Sequence, residues 1–450
     1  MKHTLFTLVV ATLLSVQCYS VQQQYNLSAT PDRIMLSISG NPATSRAVSW
    51  RTVFDDTASV AQIALASPSP EFGKMQTTVL GTHAAWESGS DAAMGHQVVF
   101  ENLQPETTYA YRVGDGENWS EWFQFKTAST EVKPFSFLYF GDVQNGIKSQ
   151  TSRVIRQAYS HFPSSAFMLF VGDIVSESQE QMWAEFFYAG GWIYGMMPSV
   201  PTPGNHEYDK CDDGSRSFSK HWNQIYRLPH NAPTSEYMNR CYYMDYQGVR
   251  FVSFDSPAHG FDTQNSEMLL SWLDSVLAEN PCKWTVVFTH YPVYSCSQGR
   301  TGTAYRDVLK PILEAHGVDL VLQGHDHTYC RGQQLANVSG ANQNSPMYVV
   351  SVAGSKMSGL NTDVWSDRVG SDTQLYQHIS ISGDSLHYQS FQPDASLYDA
   401  FTIVKDAKGK NHIRIDDEVL EIPQRTQIPE RGMENYSEED LKVYQEMFGK

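Results

Sequence analysis

From Pro134 onward the chain repeats one pattern, a short apolar run, a polar turn and an amphipathic stretch, and this pattern limits the folds open to it. Apolar runs at 135–140, 167–171, 251–254, 284–288, 320–322 and 347–352 have the length and composition of buried strands. Between them Leu269, Leu273, Val276 and Leu277, and later Val308, Ile312 and Leu313, place an apolar stripe at helical spacing. Strand–helix alternation of this length predicts an α/β domain whose sheets are covered by helices. The alternation from His378 to Phe391 predicts a late antiparallel strand pair, and Ser437 before Glu438, Glu439 and Asp440 caps a final helix.

The polar residues that close these runs carry the chemistry. Gly141-Asp142 ends the first strand and Gly172-Asp173 the second. Gly204-Asn205-His206-Glu207 follows the apolar pair Val200-Pro201, His290 ends the run through Phe288, and Gly324-His325-Asp326-His327 follows the next. Each alone is weak, because a Gly-Asp after a strand is more often a turn and a single His more often a hydrogen-bonded core residue. In α/β sheets, however, the carboxyl ends of the strands converge on one crevice. The set therefore predicts a cluster of carboxylate, amide and imidazole donors that suits zinc, iron or manganese. Two or three donors per ion, with one carboxylate shared, make a site for two metals roughly 3.5–4 Å apart, the arrangement that serves in-line phosphoryl displacement.

Residues 28–128 have a different rhythm. Short alternating runs at 47–50, 97–100, 108–113 and 122–126 are separated by Pro31, Gly40-Asn41-Pro42, Pro68–Pro70 and Gly114-Asp115-Gly116, which predicts a small β-sandwich. No ligand-spaced cluster of His, Asp or Glu falls there, and residues 131–134 read as the linker. The formal net charge of −17 disfavours a nucleic-acid scaffold or an anionic-membrane binder. It leaves a small anionic substrate open, since a local metal or arginine outweighs the global field.

Lys2 and His3, the apolar run from Leu5 to Val16 and the small-residue end at Cys18-Tyr19-Ser20 predict a cleavable secretory signal over residues 1–20. That run is too short to span a ~30 Å hydrocarbon core. A secreted or periplasmic protein without integral membrane contact is expected. Cys211, Cys241, Cys282, Cys296 and Cys330 remain, too few for a disulfide framework and without the C-x-x-C spacing of a thiolate metal site.

The ordered set resembles the calcineurin-like metallophosphoesterases, and within them the purple acid phosphatase branch. The family motifs are an Asp, a Gly-Asp, a Gly-Asn-His-Glu, a Val-x-x-His and a Gly-His-x-His, matched here by Asp142, Gly172-Asp173, Gly204 to Glu207, Val287 to His290 and Gly324 to His327. Pro31-Asp32-Arg33-Ile34 and Val48-Ser49-Trp50-Arg51 resemble that branch's fibronectin type III-like N-terminal domain. The resemblance implies a multidomain chain: a signal at 1–20, a fibronectin type III-like sandwich at 28–128, an α/β metallophosphoesterase domain with a two-sheet core flanked by helices at 134–400, and an extension with the final helix at 401–450.

It further implies a phosphomonoesterase with two divalent or mixed-valence ions of iron, zinc or manganese, acting on a small phosphate ester through a metal-bridging hydroxide. Asp142 and His327 would hold the first metal, Asn205, His290 and His325 the second, with Asp173 bridging. Asp173 and Asn205 thereby count with His206 as catalytic, His206 acting on the phosphoryl oxygens or the leaving oxygen. Glu207 and Asp326 are expected to orient the imidazoles. A phosphodiesterase or nucleotide pyrophosphatase on the same core, and a non-catalytic binding module, are the alternatives. The aromatic residues Trp183, Phe186, Phe187, Tyr188, Trp192 and Tyr194 are expected to be packing rather than a stacking site for a base.

Three departures stand out. Ser176 occupies the place of the branch's tyrosine ligand, so no strong tyrosinate colour is expected unless Tyr188 or Tyr208 substitutes for it. Gln144 stands where the family has Gly or His, and is expected as a ligand or near-ligand through its amide oxygen. The stretch 291–300 lacks the additional His that the purple enzymes carry. Cys211 and Cys241 are expected to be bonded across an insertion, Cys296 and Cys330 to be bonded across neighbouring strand ends, and Cys282 to be the odd thiol.

Overall fold

Two facing sheets organise the α/β region in the computed structural model, which describes residues 27–55, 58–86, 92–333, 345–362 and 365–449. The segment expected as a signal lies outside the described residues. In the first sheet Phe135–Phe140, Met168–Val171 and Ser199–Thr202 run parallel, as consecutive apolar strands joined by helices must. Tyr376–Ser382, Ser385–Phe391, Leu397–Lys405 and Asn411–Ile415 extend this sheet as antiparallel neighbours. In the second sheet Val249–Phe254, Trp284–Thr289, Leu320–Gln323 and Met347–Val350 are parallel, flanked by antiparallel edges.

The sheets meet through aromatic side chains that alternation turns inward. The ring of Phe251 stands edge-on to Phe137 at 5.2 Å and to Phe167 at 5.3 Å, and all three are fully buried. Side chains of this size contribute about 1.5–3 kcal/mol each on burial, so this layer is a main source of cohesion. Ser152–His161 and Glu180–Gly190 belong to the same core. Ser266–Ala278 and Thr303–Ala315 bury Leu269, Leu273, Leu309 and Leu313 in the apolar cluster of the second sheet.

The apolar runs named from the sequence all fall within strands, and the bounds shift by a residue or two at their ends. Residue 400, expected as the end of the α/β domain, lies inside the strand Leu397–Lys405, and the sheet continues to Ile415. The N-terminal region is a sandwich. Asp32–Ser37, Arg46–Val53, Ala93–Phe100 and Thr82–Trp86 form one sheet, and Thr77–Leu80, Val60–Leu65, Thr108–Gly114 and Phe123–Lys126 the other. The first of these joins the α/β region edge to edge through the pairing of Ser37 with Ser199.

Cys296 and Cys330 are bonded, as expected. Cys211 and Cys241 are not. Cys241 is wholly buried before the strand Tyr242–Tyr246, whereas Cys211 lies in the turn between the short strands Tyr208–Lys210 and Arg216–Phe218, so packing holds them on different elements. Cys282 is free.

Candidate metal centre

All the strand ends singled out from the sequence converge on one crevice. Asp142 and Asp173 each follow a strand of the first sheet by two residues, and Asn205 and His206 lie in the turn after Ser199–Thr202. His290 directly follows Trp284–Thr289, and His325 and His327 lie in the turn after Leu320–Gln323. Parallel strands direct these turns to the same edge of both sheets. Two glycines make the convergence possible. A Cβ on Gly204 would stand 2.2 Å from Asp173 Oδ1, and one on Gly324 would stand 2.5 Å from Asp142 Oδ2. Asp173, His325 and His327 themselves take left-handed backbone angles, with φ of 49°, 72° and 55°. Such conformations cost about 1 kcal/mol or more each in non-glycine residues and are typical of functional turns.

Backbone hydrogen bonds hold the strained turns. The Glu207 carboxylate accepts from the amides of Asp173 (2.9 Å), Ile174 (2.9 Å) and Gly204 (2.6 Å). The Asp173 carboxylate accepts from the amide of His206 at 2.9 Å, and that of Asp142 from the amide of His325 at 2.5 Å.

The donors fall into two groups that share one carboxylate. Asp173, His290 and His325 form one, and Asp142, Asp173 and His327 the other, each with its ligand atoms within 4.8 Å of one another. Asn205 Oδ1 joins the first at 3.2 Å from His290 Nε2. His290 Nδ1 donates to the Val171 carbonyl at 2.8 Å and His327 Nδ1 to that of Lys356 at 3.1 Å, which leaves each Nε2 for the crevice. Asp142 Oδ1 and Gln144 Oε1 are buried without a hydrogen-bond partner. Buried acceptors are rarely left so, and here they fit cations. Gln144 turns its Nε2 toward Asp173 Oδ2 at 2.7 Å, so its amide is fixed beside the shared carboxylate.

His206 is set apart. Its Nδ1 donates to the Ser176 carbonyl at 2.5 Å, its Nε2 stands 3.9 Å from Asp173 Oδ2, and its side chain is one-third exposed. It belongs to neither donor group. Ser176, in place of a tyrosine, holds the His206 ring by its carbonyl and accepts from Asn145 Nδ2 through its hydroxyl at 3.0 Å. Tyr208 cannot take over as a ligand, because its hydroxyl is bound to Asp255 at 2.5 Å, and Tyr188 lies exposed under Lys148 and Arg156.

The electrostatics match a site built for positive charge. Burial pushes the Asp142 carboxyl up to about 8, with His290 opposing the rise and Asp173 adding to it. Burial opposes a charge on His290, but the Asp173 carboxylate beside it carries that imidazole up to about 9. Burial, and next the Lys356 ammonium, hold His327 down at about 3. Burial and then His290 press His325 well below its ordinary range. Two imidazoles thus keep their lone pairs, and a proton on His290 offsets the carboxylate charge that a metal would otherwise neutralise.

The expected part of Glu207 and Asp326 is corrected. Glu207 binds backbone amides, while Asp326 accepts from Ser295 Oγ (2.8 Å), the Cys296 amide (2.8 Å) and Arg300 Nη1 (3.3 Å). The imidazoles of His206, His290 and His327 are held by backbone carbonyls instead. Trp183, Phe186, Phe187 and Tyr194 are buried packing, as expected, whereas Tyr188 and Trp192, expected to pack with them, are exposed. Two cations escaped the sequence reading. Arg300 donates to the His325 carbonyl at 2.7 Å, and Lys356 supplies the carbonyl that fixes His327. Lys356 follows the buried strand Met347–Val350 in the turn Gly354-Ser355-Lys356, so the rule that located the other strand ends would have found it.

A family model for the purple acid phosphatase N-terminal domain matches residues 31–127, and one for calcineurin-like phosphoesterases matches residues 135–329. Purple acid phosphatase 21 of Arabidopsis thaliana is 28% identical over 271 residues, 59% of each chain. The Fe(3+)-Zn(2+) purple acid phosphatase 12 of the same plant is 25% identical over 299 residues, 60% of this chain and 61% of that one. The chain thus spans about three fifths of the length of these curated relatives. The solved purple acid phosphatase from yellow lupin seeds superposes with a TM-score of 0.67 at 17% identity, over 85% of this chain and 75% of that one, which shows a common fold. With both family domains in order and the shared-carboxylate donor groups where their motifs fall, the chain belongs to the calcineurin-like metallophosphoesterases, in their purple acid phosphatase-like branch.

Proposed function

We propose that the protein is an exported, metal-dependent phosphomonoesterase. The observation that carries this reading is the pair of donor groups sharing Asp173, with His206 beside them and bound to neither. Asp142, His327 and the Gln144 amide oxygen would hold one ion, and Asn205, His290 and His325 the other. When bound, the ions supply a nucleophilic hydroxide at neutral pH and a positive clamp on the phosphoryl oxygens.

The chain's own residues do the rest. Glu207 and the amides it binds keep the Asp173 turn in its strained conformation. The carbonyls of Val171 and Lys356 set the tautomers of His290 and His327. His206, its Nδ1 proton committed to Ser176, presents Nε2 to the phosphoryl or leaving oxygen, where a proton there can be given up. Export is supported by the apolar run at 5–16 behind Lys2 and by the Cys296–Cys330 bond, which suits an oxidising compartment. Among the described residues no helix is long and apolar enough to cross a membrane.

The test is turnover of an aryl phosphate monoester, an aryl diester and a nucleotide by protein loaded with zinc, manganese or iron. The monoester is expected to have the highest kcat/KM. A diester rate well above it would make the protein a phosphodiesterase, and inertness with two metals bound would make it a binding module. The loaded protein is expected to show no intense visible tyrosinate band, since Ser176 replaces the tyrosine.

A further inference from the structure

Arg300 and Lys356 flank the turn that carries His325 and His327. Arg300 Nη1 binds the His325 carbonyl at 2.7 Å, and the Lys356 carbonyl receives His327 Nδ1 at 3.1 Å. Neither residue is on a free loop. The Arg300 amide donates to Ser297 at 3.1 Å, just after the half-cystine Cys296. The segment before Lys356 is tied to the first strand end by Gly354 N–H to the Asp142 carbonyl (2.6 Å) and Ser355 Oγ to the Asn145 carbonyl (2.9 Å), and Ser358 N–H binds the His327 carbonyl at 3.1 Å.

Both side chains are half-buried at the crevice. Among the described residues the Arg300 side chain, 38% exposed, meets protein acceptors through Nη1 alone, and Lys356 makes no ion pair. The acidic groups that Lys356 faces are Asp173 and Asp142, and Arg431 and Arg300 are the cations near it. Once those two carboxylates are committed to metals, the ammonium has no counter-charge left among the groups it faces, and the guanidinium keeps only the buried Asp326 carboxylate, 3.3 Å from Nη1. An anion bound beside the His325–His327 turn would supply a counter-charge to the ammonium and an acceptor for the guanidinium nitrogens not spent on Asp326 and the His325 carbonyl.

We propose that Lys356 and Arg300 clamp the terminal phosphoryl group of the substrate and select dianionic monoesters over diesters. The proposal rests on the hydrolase reading above and names its specificity device. A monoester offers three non-bridging oxygens and two charges, a diester two oxygens and one charge. Two cations beside one turn therefore add more to the monoester, and they stand in for the histidine missing from 291–300.

The experiment uses the metal-loaded full chain and its Lys356→Met, Lys356→Arg and Arg300→Met variants. Bound metal, inorganic phosphate affinity by calorimetry and kcat/KM for an aryl monoester and an aryl diester are measured. Lys356→Met and Arg300→Met are expected to keep both metals. Phosphate affinity and monoester kcat/KM should fall about 10- to 100-fold and the diester value less than about 3-fold, with Lys356→Arg recovering most of the loss. Equal losses on both esters, unchanged phosphate affinity, or a loss explained by missing metal would overturn the clamp. Phosphate affinity needs no turnover, so it separates the two ideas. A wild type inert to every ester whose phosphate affinity still depends on Lys356 would sink the hydrolase reading and leave the clamp standing.

Discussion

At Asp173 two imidazoles meet one carboxylate on unequal terms. His290 Nε2 lies 3.2 Å from Oδ1, is fully buried and also faces Asn205, whereas His206 Nε2 stands 3.9 Å from Oδ2 at the crevice mouth. Loss of activity alone would not tell their roles apart, but metal content does. His290→Ala is expected to lower metal occupancy, with much of the lost rate returning in excess metal. His206→Ala is expected to keep two metals per chain and lose ~10²–10⁴ in kcat, the scale of a positioned acid or charge-stabilising donor. If His206 protonates the leaving oxygen, the loss shrinks for esters with acidic phenols. The residue types and their order were legible in the sequence here. Which imidazole faces two acceptors and which faces solvent was not, because Asn205 and His206 are neighbours in the chain and the turn between Gly204 and Glu207 decides their directions.

At the scale of the element, strand and turn geometry tie stability to solution conditions at two places. On Ala93–Phe100 in the sandwich, His96 is stacked on Trp50 with ring centroids 5.1 Å apart and is bound by Thr52 Oγ1 (2.7 Å) and Ser59 Oγ (2.9 Å). Burial, and next His83, push it down to about 4. An unfolded His titrates near 6.5, so the unfolded chain binds the proton first as pH falls, and the stability His96 contributes is present above about pH 6.5 and lost toward pH 4. The Tm of wild type is therefore expected to fall more steeply than that of His96→Gln between those pH values, and the two to run parallel above pH 7. In the α/β region the Cys296–Cys330 bond fastens the loop after His290 to the strand after His327 across 34 residues. Replacing both by Ser is expected to cost about 3–4 kcal/mol by loop-closure entropy, read from denaturant midpoints. That pair was foreseeable from strand ends that had to be neighbours. Cys211 and Cys241 stay apart, although only 30 residues separate them, because the packing of the insertion buries one thiol and leaves the other in a turn.

Over the whole molecule, one carboxylate joins the sandwich to the α/β region. Glu180 Oε1 lies 2.5 Å from both Arg33 and Arg51, Oε2 accepts from Trp86 Nε1 at 3.0 Å, and His221 stands 3.4 Å away. Arg33 and Arg51 are almost wholly buried, and Asp32 pairs with Arg51. Glu180→Ala is expected to destabilise by about 3 kcal/mol, the low end for breaking a buried pair, because the Glu180 side chain keeps 22% exposure. The first unfolding transition in calorimetry should move down accordingly, and Glu180→Gln should lose less. Nothing in the composition around Glu180 marks it, since it opens an ordinary amphipathic helix. The strand–helix alternation, the ligand types and their order at strand ends are legible in the residues alone, because periodicity and turn chemistry act over a few residues. The tertiary structure alone decided the two donor groups around Asp173, the amide-binding role of Glu207, the cations Arg300 and Lys356 beside the His325–His327 turn and the Glu180 link. Each of these depends on residues distant in the chain being brought within hydrogen-bond reach, and only the packing of the two sheets sets those distances.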